Sequence, residues 1–248
     1  MAERGVEVRI CADPQALSRA AAEAFVILAE KSVRGSGNFS VALAGGSTPR
    51  GLYGALASPE FRERVPWNKV HLFWGDERCV PPDHKASNYK MVYDSLLVHV
   101  DLPVKNIHPM RGDLEPKQGA ARYESELRTF FSGQEFPFFD LILLGLGQDG
   151  HTASLFPGSP ALSEHDRWVV PARSVETGTD RITLTLPVLN HAGAVFFLVA
   201  GNGKAAILGE VLKDPQGCPA LPAGRVRPTR GLVTWFADER ASENLARC

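Results

Sequence analysis

Phe139-Asp140-Leu141-Ile142-Leu143-Leu144-Gly145-Leu146-Gly147-Gln148-Asp149-Gly150-His151-Thr152 is the stretch whose reading decides the fold. Leu141 to Leu144 are apolar with no polar alternation, as in a strand buried on both faces of a parallel sheet between helices. The run empties into a glycine-rich turn, where bare backbone can come close to a ligand. Asp149 and His151 stand at the rim of that turn.

Working outward, the same pattern recurs. Val6 to Cys11, Phe39 to Ala44, Val70 to Trp74 and Val195 to Ala200 read as strands, as do Trp168 to Pro171, Arg181 to Leu186 and Gly231 to Phe236. Asn106 to Met110 is expected as one more short strand. Helices are expected from Pro14 to about Arg34, from about Arg50 to Ala57 behind a Thr48 cap with Pro49 at the first helical position, and from Pro116 to Phe131. Ser87 and Asn88 open another helix. One more follows Lys204 to about Leu212, residues 215–228 read as irregular, and the chain closes on a C-terminal helix. Alternating strands and helices without repeats or linkers predict an α/β fold. It is a single domain over residues 1–248, a mostly parallel sheet flanked by helices on both faces. Ligands in such folds bind beyond the carboxyl ends of the strands. Four strands end in turns at Gly45, Gly75, Gly145 and Gly201, so these turns are expected to share one crevice.

Composition narrows the function. Hydrophobic residues make up 44% of the 248 and charged residues 22%, with a formal charge of −1. This is a globular composition that argues against nucleic-acid or membrane-surface partners. Cys11, Cys79, Cys218 and Cys248 form no CxxC pair and read as reduced cytosolic thiols. No leader-like or membrane-length apolar run is present, which fits a cytoplasmic protein. The six histidines other than His151 show no HxxxH or HExxH spacing, so no metal is assigned.

Gly45-Gly46-Ser47-Thr48-Pro49 offers backbone N–H groups, two hydroxyls and a helix N-terminus to an anion. It lacks the Gly-Lys-Ser/Thr of a nucleotide loop, which favours a small phosphate over a triphosphate. The plain alternative is a tight turn before a capped helix. Gly145 to Gly150 matches GxGxxG, but Pro157, Gly158 and Pro160 leave room for only about two helical turns, too few for a dinucleotide site. What remains is a turn presenting Asp149 and His151, the imidazole being read as neutral beside a helix start; the alternative is a solvated loop histidine. Asp76-Glu77-Arg78 brings two acids and a cation to the crevice, or forms a surface salt-bridge cluster. Lys204 is a further anion contact or a solvated lysine.

Gly45 to Pro49, Trp74 to Arg78 with Ser87-Asn88-Tyr89, Gly145 to Pro157, Arg181 to Asn190 and Gly203-Lys204-Ala205 together resemble the 6-phosphogluconolactonase family of the glucosamine-6-phosphate isomerase superfamily. The resemblance implies a Rossmann-like three-layer sandwich of the glucosamine-6-phosphate deaminase type and hydrolysis of 6-phospho-D-glucono-1,5-lactone without a cofactor. The deaminases of the superfamily follow their Asp-Gly-His with Glu-Pro, whereas here Phe156 precedes Pro157, and they tend to have a tyrosine where this chain has Arg78. On this reading His151, Asp149 and Arg78 are catalytic, and Gly45, Gly46, Ser47, Thr48, Asp76, Arg78, Asn88, Gly147 and Lys204 hold substrate. Arg78 serves either the phosphate or the oxyanion, and Gly147 and neighbouring N–H groups are the other oxyanion candidates. The partner is a small sugar-phosphate lactone, with a monomer or weak homodimer expected. Two alternatives stay open: an amino-sugar-phosphate deaminase or isomerase, and a non-catalytic sugar-phosphate binder.

Overall fold

The computed structural model describes residues 5–213 and 221–245. The first half of the chain runs β1 (Val6–Cys11), α1 (Pro14–Ser36), β2 (Phe39–Leu43), α2 (Ser47–Ala57), α3 (Pro59–Arg62), β3 (Val70–Trp74), β4 (Asp76–Arg78), α4 (Asn88–Ser95) and α5 (Pro116–Phe130). The second half adds β5 (Leu141–Leu144), β6 (Val169–Arg173), β7 (Asp180–Leu184), α6 (Leu186–Leu189), β8 (Ala194–Val199), α7 (Ala205–Lys213) and β9 (Leu232–Asp238). Six strands form an all-parallel sheet in the order β1-β9-β8-β5-β2-β3. All four β5 residues are buried, as their unbroken apolar run requires. The sheet is the middle of three layers, with helices outside it. No helix among the described residues is long and apolar enough to cross a membrane.

Several expectations are corrected. The strands around Trp168 and Arg181 do not enter the parallel sheet; β6 and β7 pair antiparallel with each other and with β4 in a separate three-stranded sheet. Short connections such as the one between them suit antiparallel pairing, since a parallel neighbour needs a long crossover. The small sheet is joined to the large one at Gly75, whose N–H donates to Leu43 and whose carbonyl accepts from Leu184. Asn106 to Met110 reduces to one bridge, Ile107 to Leu72, after a tight turn over residues 104–106. Pro109 has no N–H with which to continue that ladder.

Helix α2 begins at Ser47, not Arg50, and its cap is Gly46 at φ 106°, with no side-chain bond from Thr48. No α-helix lies between the central glycine turn and β6, only a single tight turn at Pro160–Ser163, so His151 does not stand at a helix start. After β9, residues 239–245 make turns instead of a helix. The Asp238 carboxylate accepts the N–H groups of Ala241 and Gly201 there, which stops the chain in a tight bend. Cys11 and Cys79 are free thiols, whereas Cys218, Cys248 and residues 215–220 of the irregular 215–228 stretch lie outside the described residues; the rest of that stretch holds one tight turn, Pro222–Arg225.

Candidate active site

The four glycine turns converge as the topology predicts. A crevice of about 310 Å³ is lined by Gly45, Gly46, Ser47, Thr48, Asp76, Arg78, Asn88, Gly147, His151 and Lys204. Every residue assigned to the site from sequence lines it except Asp149, which stands behind His151.

The β2–α2 turn is fixed from below. Buried Tyr53 on α2 accepts the Ala44 N–H at 3.0 Å and donates its hydroxyl to the Ala44 carbonyl at 2.8 Å. With Gly46 as cap, the first amides of α2 have no side-chain partner and the Thr48 hydroxyl is not spent on capping. Both are left to an incoming anion. Gly45 makes room for Asn88: a Cβ there would fall 1.9 Å from Asn88 Oδ1.

The three residues of β4 have separate tasks. Glu77 is not at the crevice; it lies buried beneath it, accepting the N–H groups of Arg78, Asn88 and Tyr89 and the Ser87 hydroxyl. Burial pushes its carboxyl up, and those three backbone N–H bonds only partly offset this. Asp76 lines the crevice, but its carboxylate accepts Ser154 Oγ at 2.6 Å and Asn88 Nδ2 at 3.1 Å. It clasps the loop after His151 to the start of α4. Asn88 Oδ1 has no partner and is open as an acceptor. Arg78 donates from Nη1 to the Ala86 carbonyl, while its buried Nε has no partner.

His151 is held by its own loop. Its carbonyl accepts the Gly147 N–H at 2.8 Å, the Thr152 hydroxyl donates to Gly145, and Ala153 takes a left-handed φ of 49°. Nδ1 meets Asp149 Oδ1 at 2.5 Å, and the His151 N–H donates to the same oxygen. A carboxylate on Nδ1 fixes that nitrogen as the N–H and leaves the Nε2 lone pair free. Partial burial raises the Asp149 carboxyl, but the His151 N–H and imidazole outweigh it, so Asp149 is held below the usual carboxylate range. Phe156 packs on the imidazole with ring centroids 4.8 Å apart. Gly147 is needed where it is, since a Cβ would fall 2.1 Å from His151 Nδ1. Its N–H is spent within the loop, which removes it as an oxyanion donor.

Lys204 follows the Gly201 turn, whose N–H is gripped by buried Asp238. Burial lowers its ammonium from the usual lysine value, against the attraction of Asp149 and Glu176. The structure also adds residues that the sequence reading left without roles. Ser174, Glu176, Thr177 and Arg181 come from the β6–β7 hairpin. Arg181 is pushed below the usual arginine value by burial and then by Arg78, so two guanidiniums share the crevice. Arg181 was visible as part of a family motif, but only the pairing of β7 with β4 brings it beside Arg78. The crevice thus offers three cations, a helix N-terminus and a carboxylate-oriented imidazole to a small anionic substrate. Among the described residues no His, Cys, Asp and Glu group is arranged to hold a metal ion.

The family model described as glucosamine-6-phosphate isomerases/6-phosphogluconolactonase matches residues 12–235. A 6-phosphogluconolactonase of Synechocystis is 46% identical over 218 residues, covering 87% of this chain and 88% of that protein. One from Nostoc is 39% identical over 242 residues, covering 96% and 98%. Among solved structures, the 6-phosphogluconolactonase of Trypanosoma brucei superposes with a TM-score of 0.87 at 31% identity, covering 98% of this chain and all of that one. A monomeric glucosamine-6-phosphate deaminase, 20% identical with a TM-score of 0.78, shares the fold.

Proposed function

The chain belongs to the family of glucosamine-6-phosphate isomerases and 6-phosphogluconolactonases, and from that premise we propose that it hydrolyses 6-phospho-D-glucono-1,5-lactone to 6-phosphogluconate, the second step of the oxidative pentose phosphate pathway. The observation that carries this is the Asp149–His151 pair opening on the same crevice as Ser47, Thr48 and Lys204. Phe156 argues against the deaminase. Where the deaminases have a glutamate, this chain places a ring against the imidazole.

His151 Nε2 takes a proton from water as the water oxygen attacks C1. It returns that proton to the ring oxygen as the tetrahedral intermediate collapses, breaking the C1–O bond. Asp149 keeps the imidazole in the tautomer this requires and steadies its cation. With the Gly147 N–H engaged, we assign the oxyanion to Arg78, whose Nε lacks a partner. Gly46, Ser47, Thr48 and Lys204 hold the 6-phosphate, with Arg181 adding to the positive field. Binding energy at that end places the lactone at the other. Gly45 and Asp76, on the crevice wall, shape it, one by admitting Asn88 and the other by tethering Ser154. We read the enzyme as cytoplasmic, working without a cofactor on a sugar phosphate alone, as a monomer or weak homodimer.

The test compares loss of freshly made lactone with and without the purified chain, using ammonia release from glucosamine 6-phosphate as the control. His151→Ala is expected to lower kcat by about 10²–10⁴-fold. Spontaneous-rate hydrolysis by the wild-type chain, or ammonia release, overturns the reading.

A further inference from the structure

Among the described residues, β1 closes one side of the six-stranded sheet, pairs only with β9, and contributes nothing to the crevice. An edge of this kind offers unpaired N–H and C=O groups to another strand. Val6, Val8 and Ile10 are 56%, 39% and 57% exposed and share one face by alternation, while Glu7 and Arg9 share the other. Leu232, at the neighbouring end of β9, is also exposed. Charged residues commonly protect an edge from pairing, and Glu7 and Arg9 taken singly would do so. Their placement relative to each other does the opposite.

We propose that β1 pairs antiparallel with β1 of a second copy of this chain, about a twofold axis through Val8, so that two six-stranded sheets become one. In that register Val8 lies opposite Val8, Val6 opposite Ile10 of the second copy, and Glu7 opposite Arg9 of the second copy in both halves. A slip of the register that instead centres the axis on Glu7 or on Arg9 sets like charges face to face. A slip of half that size sets charged residues against apolar ones and takes the apolar row off its shared face. One register alone satisfies every pair. Within each chain Arg9 Nε lies 2.8 Å from Glu7 Oε1, an exposed pair that is worth little by itself and is free to extend across the axis. A contact made by one strand from each copy is small, so the dimer is weak and concentration-dependent.

Sedimentation velocity on the full chain, from low micromolar to several hundred micromolar, reads the association directly. The sedimentation coefficient rises with concentration for the wild type. Arg9→Glu and Glu7→Arg each weaken association by about tenfold or more, and the double exchange Glu7→Arg/Arg9→Glu restores it. Val8→Cys, which brings two thiols together on the axis, gives a cross-linked dimer on mild oxidation, above the background of the native thiols. Val6→Cys, placed opposite Ile10, does not. The cross-link is read independently of the charge variants, so it stands if one of those fails to fold. A wild type monomeric throughout, a dimer indifferent to the charge reversals, no recovery in the double exchange, or equal cross-linking at residues 6 and 8 overturns the proposal.

Discussion

Gly147→Ala isolates the placement of His151 from its chemistry. Gly147 is not among the positive-φ glycines, so the backbone accepts alanine and only the new methyl matters. That methyl carbon would fall 2.1 Å from His151 Nδ1, 2.4 Å from Cε1 and 2.6 Å from Asp149 Oδ1. Ordinary contact needs about 3.4 Å, so the imidazole must withdraw by more than about 1 Å, a displacement that can cost about 10²-fold in rate. This corresponds to about 2.7 kcal/mol of barrier. Ser47, Thr48 and Lys204 lie on other turns, so KM is expected to stay within about twofold. The assay is initial-rate hydrolysis of fresh lactone, corrected for its spontaneous loss, with thermal unfolding as the folding control. The decisive variant adds Gly147→Ala to His151→Ala. If the glycine acts only through the imidazole, the double variant is no slower than His151→Ala alone. Near-native kcat in Gly147→Ala, or a further loss in the double variant, refutes the reasoning.

If Lys204 holds the phosphate as proposed, Lys204→Ala should raise KM by about 10- to 100-fold with kcat little changed; a KM that stays put removes Lys204 from the phosphate site. Arg78→Ala should lower kcat more than it raises KM, and the reverse split transfers Arg78 to the phosphate. Glu77→Gln turns an NH₂ group toward donors that a carboxylate accepts on both oxygens, and should cost about 2 kcal/mol, read as a drop in Tm of about 4–8 °C. Asp149 is held below its usual value, so its ionised form contributes stability that is present above the unfolded-chain pKa and lost as pH falls through the lowered value. Asp149→Asn should therefore flatten the stability curve below about pH 4, and a curve unchanged from wild type contradicts the pairing with His151.

What the sequence discloses here depends on whether a residue's role is local. β5 is legible because four buried apolar residues in a row fit few settings other than a central parallel strand, and the glycines after it mark the turn without any knowledge of the fold. Asp149 and His151 are two residues apart, so their hydrogen bond is a property of the turn itself. Gly46 replaces the expected Thr48 as cap because Ser, Thr and Gly can all end a strand-to-helix turn, and only the φ of 106° at Gly46 decides among them. The roles of Asp76 and Glu77 were out of reach for a different reason. Neighbours in sequence, they point to opposite sides of β4 by strand alternation. One therefore meets Ser154, 78 residues further on, and the other the amides of Asn88 and Tyr89. An acid at a strand end looks the same in sequence whether it faces a substrate or a ring of backbone donors. Arg181 is the clearest case, because its place depends on β7 leaving the parallel sheet to pair with β4, a choice made by tertiary contacts. The antiparallel sheet is thus the part of the molecule least visible beforehand and the part that brings a second guanidinium beside Arg78. On the proposed roles, Arg181 reaches the anion site by topology, while Ser47, Thr48, Lys204 and the Asp149–His151 pair are legible in the sequence. Substitutions in the β6–β7 hairpin should accordingly shift KM for the phosphorylated lactone while leaving the His151 step intact.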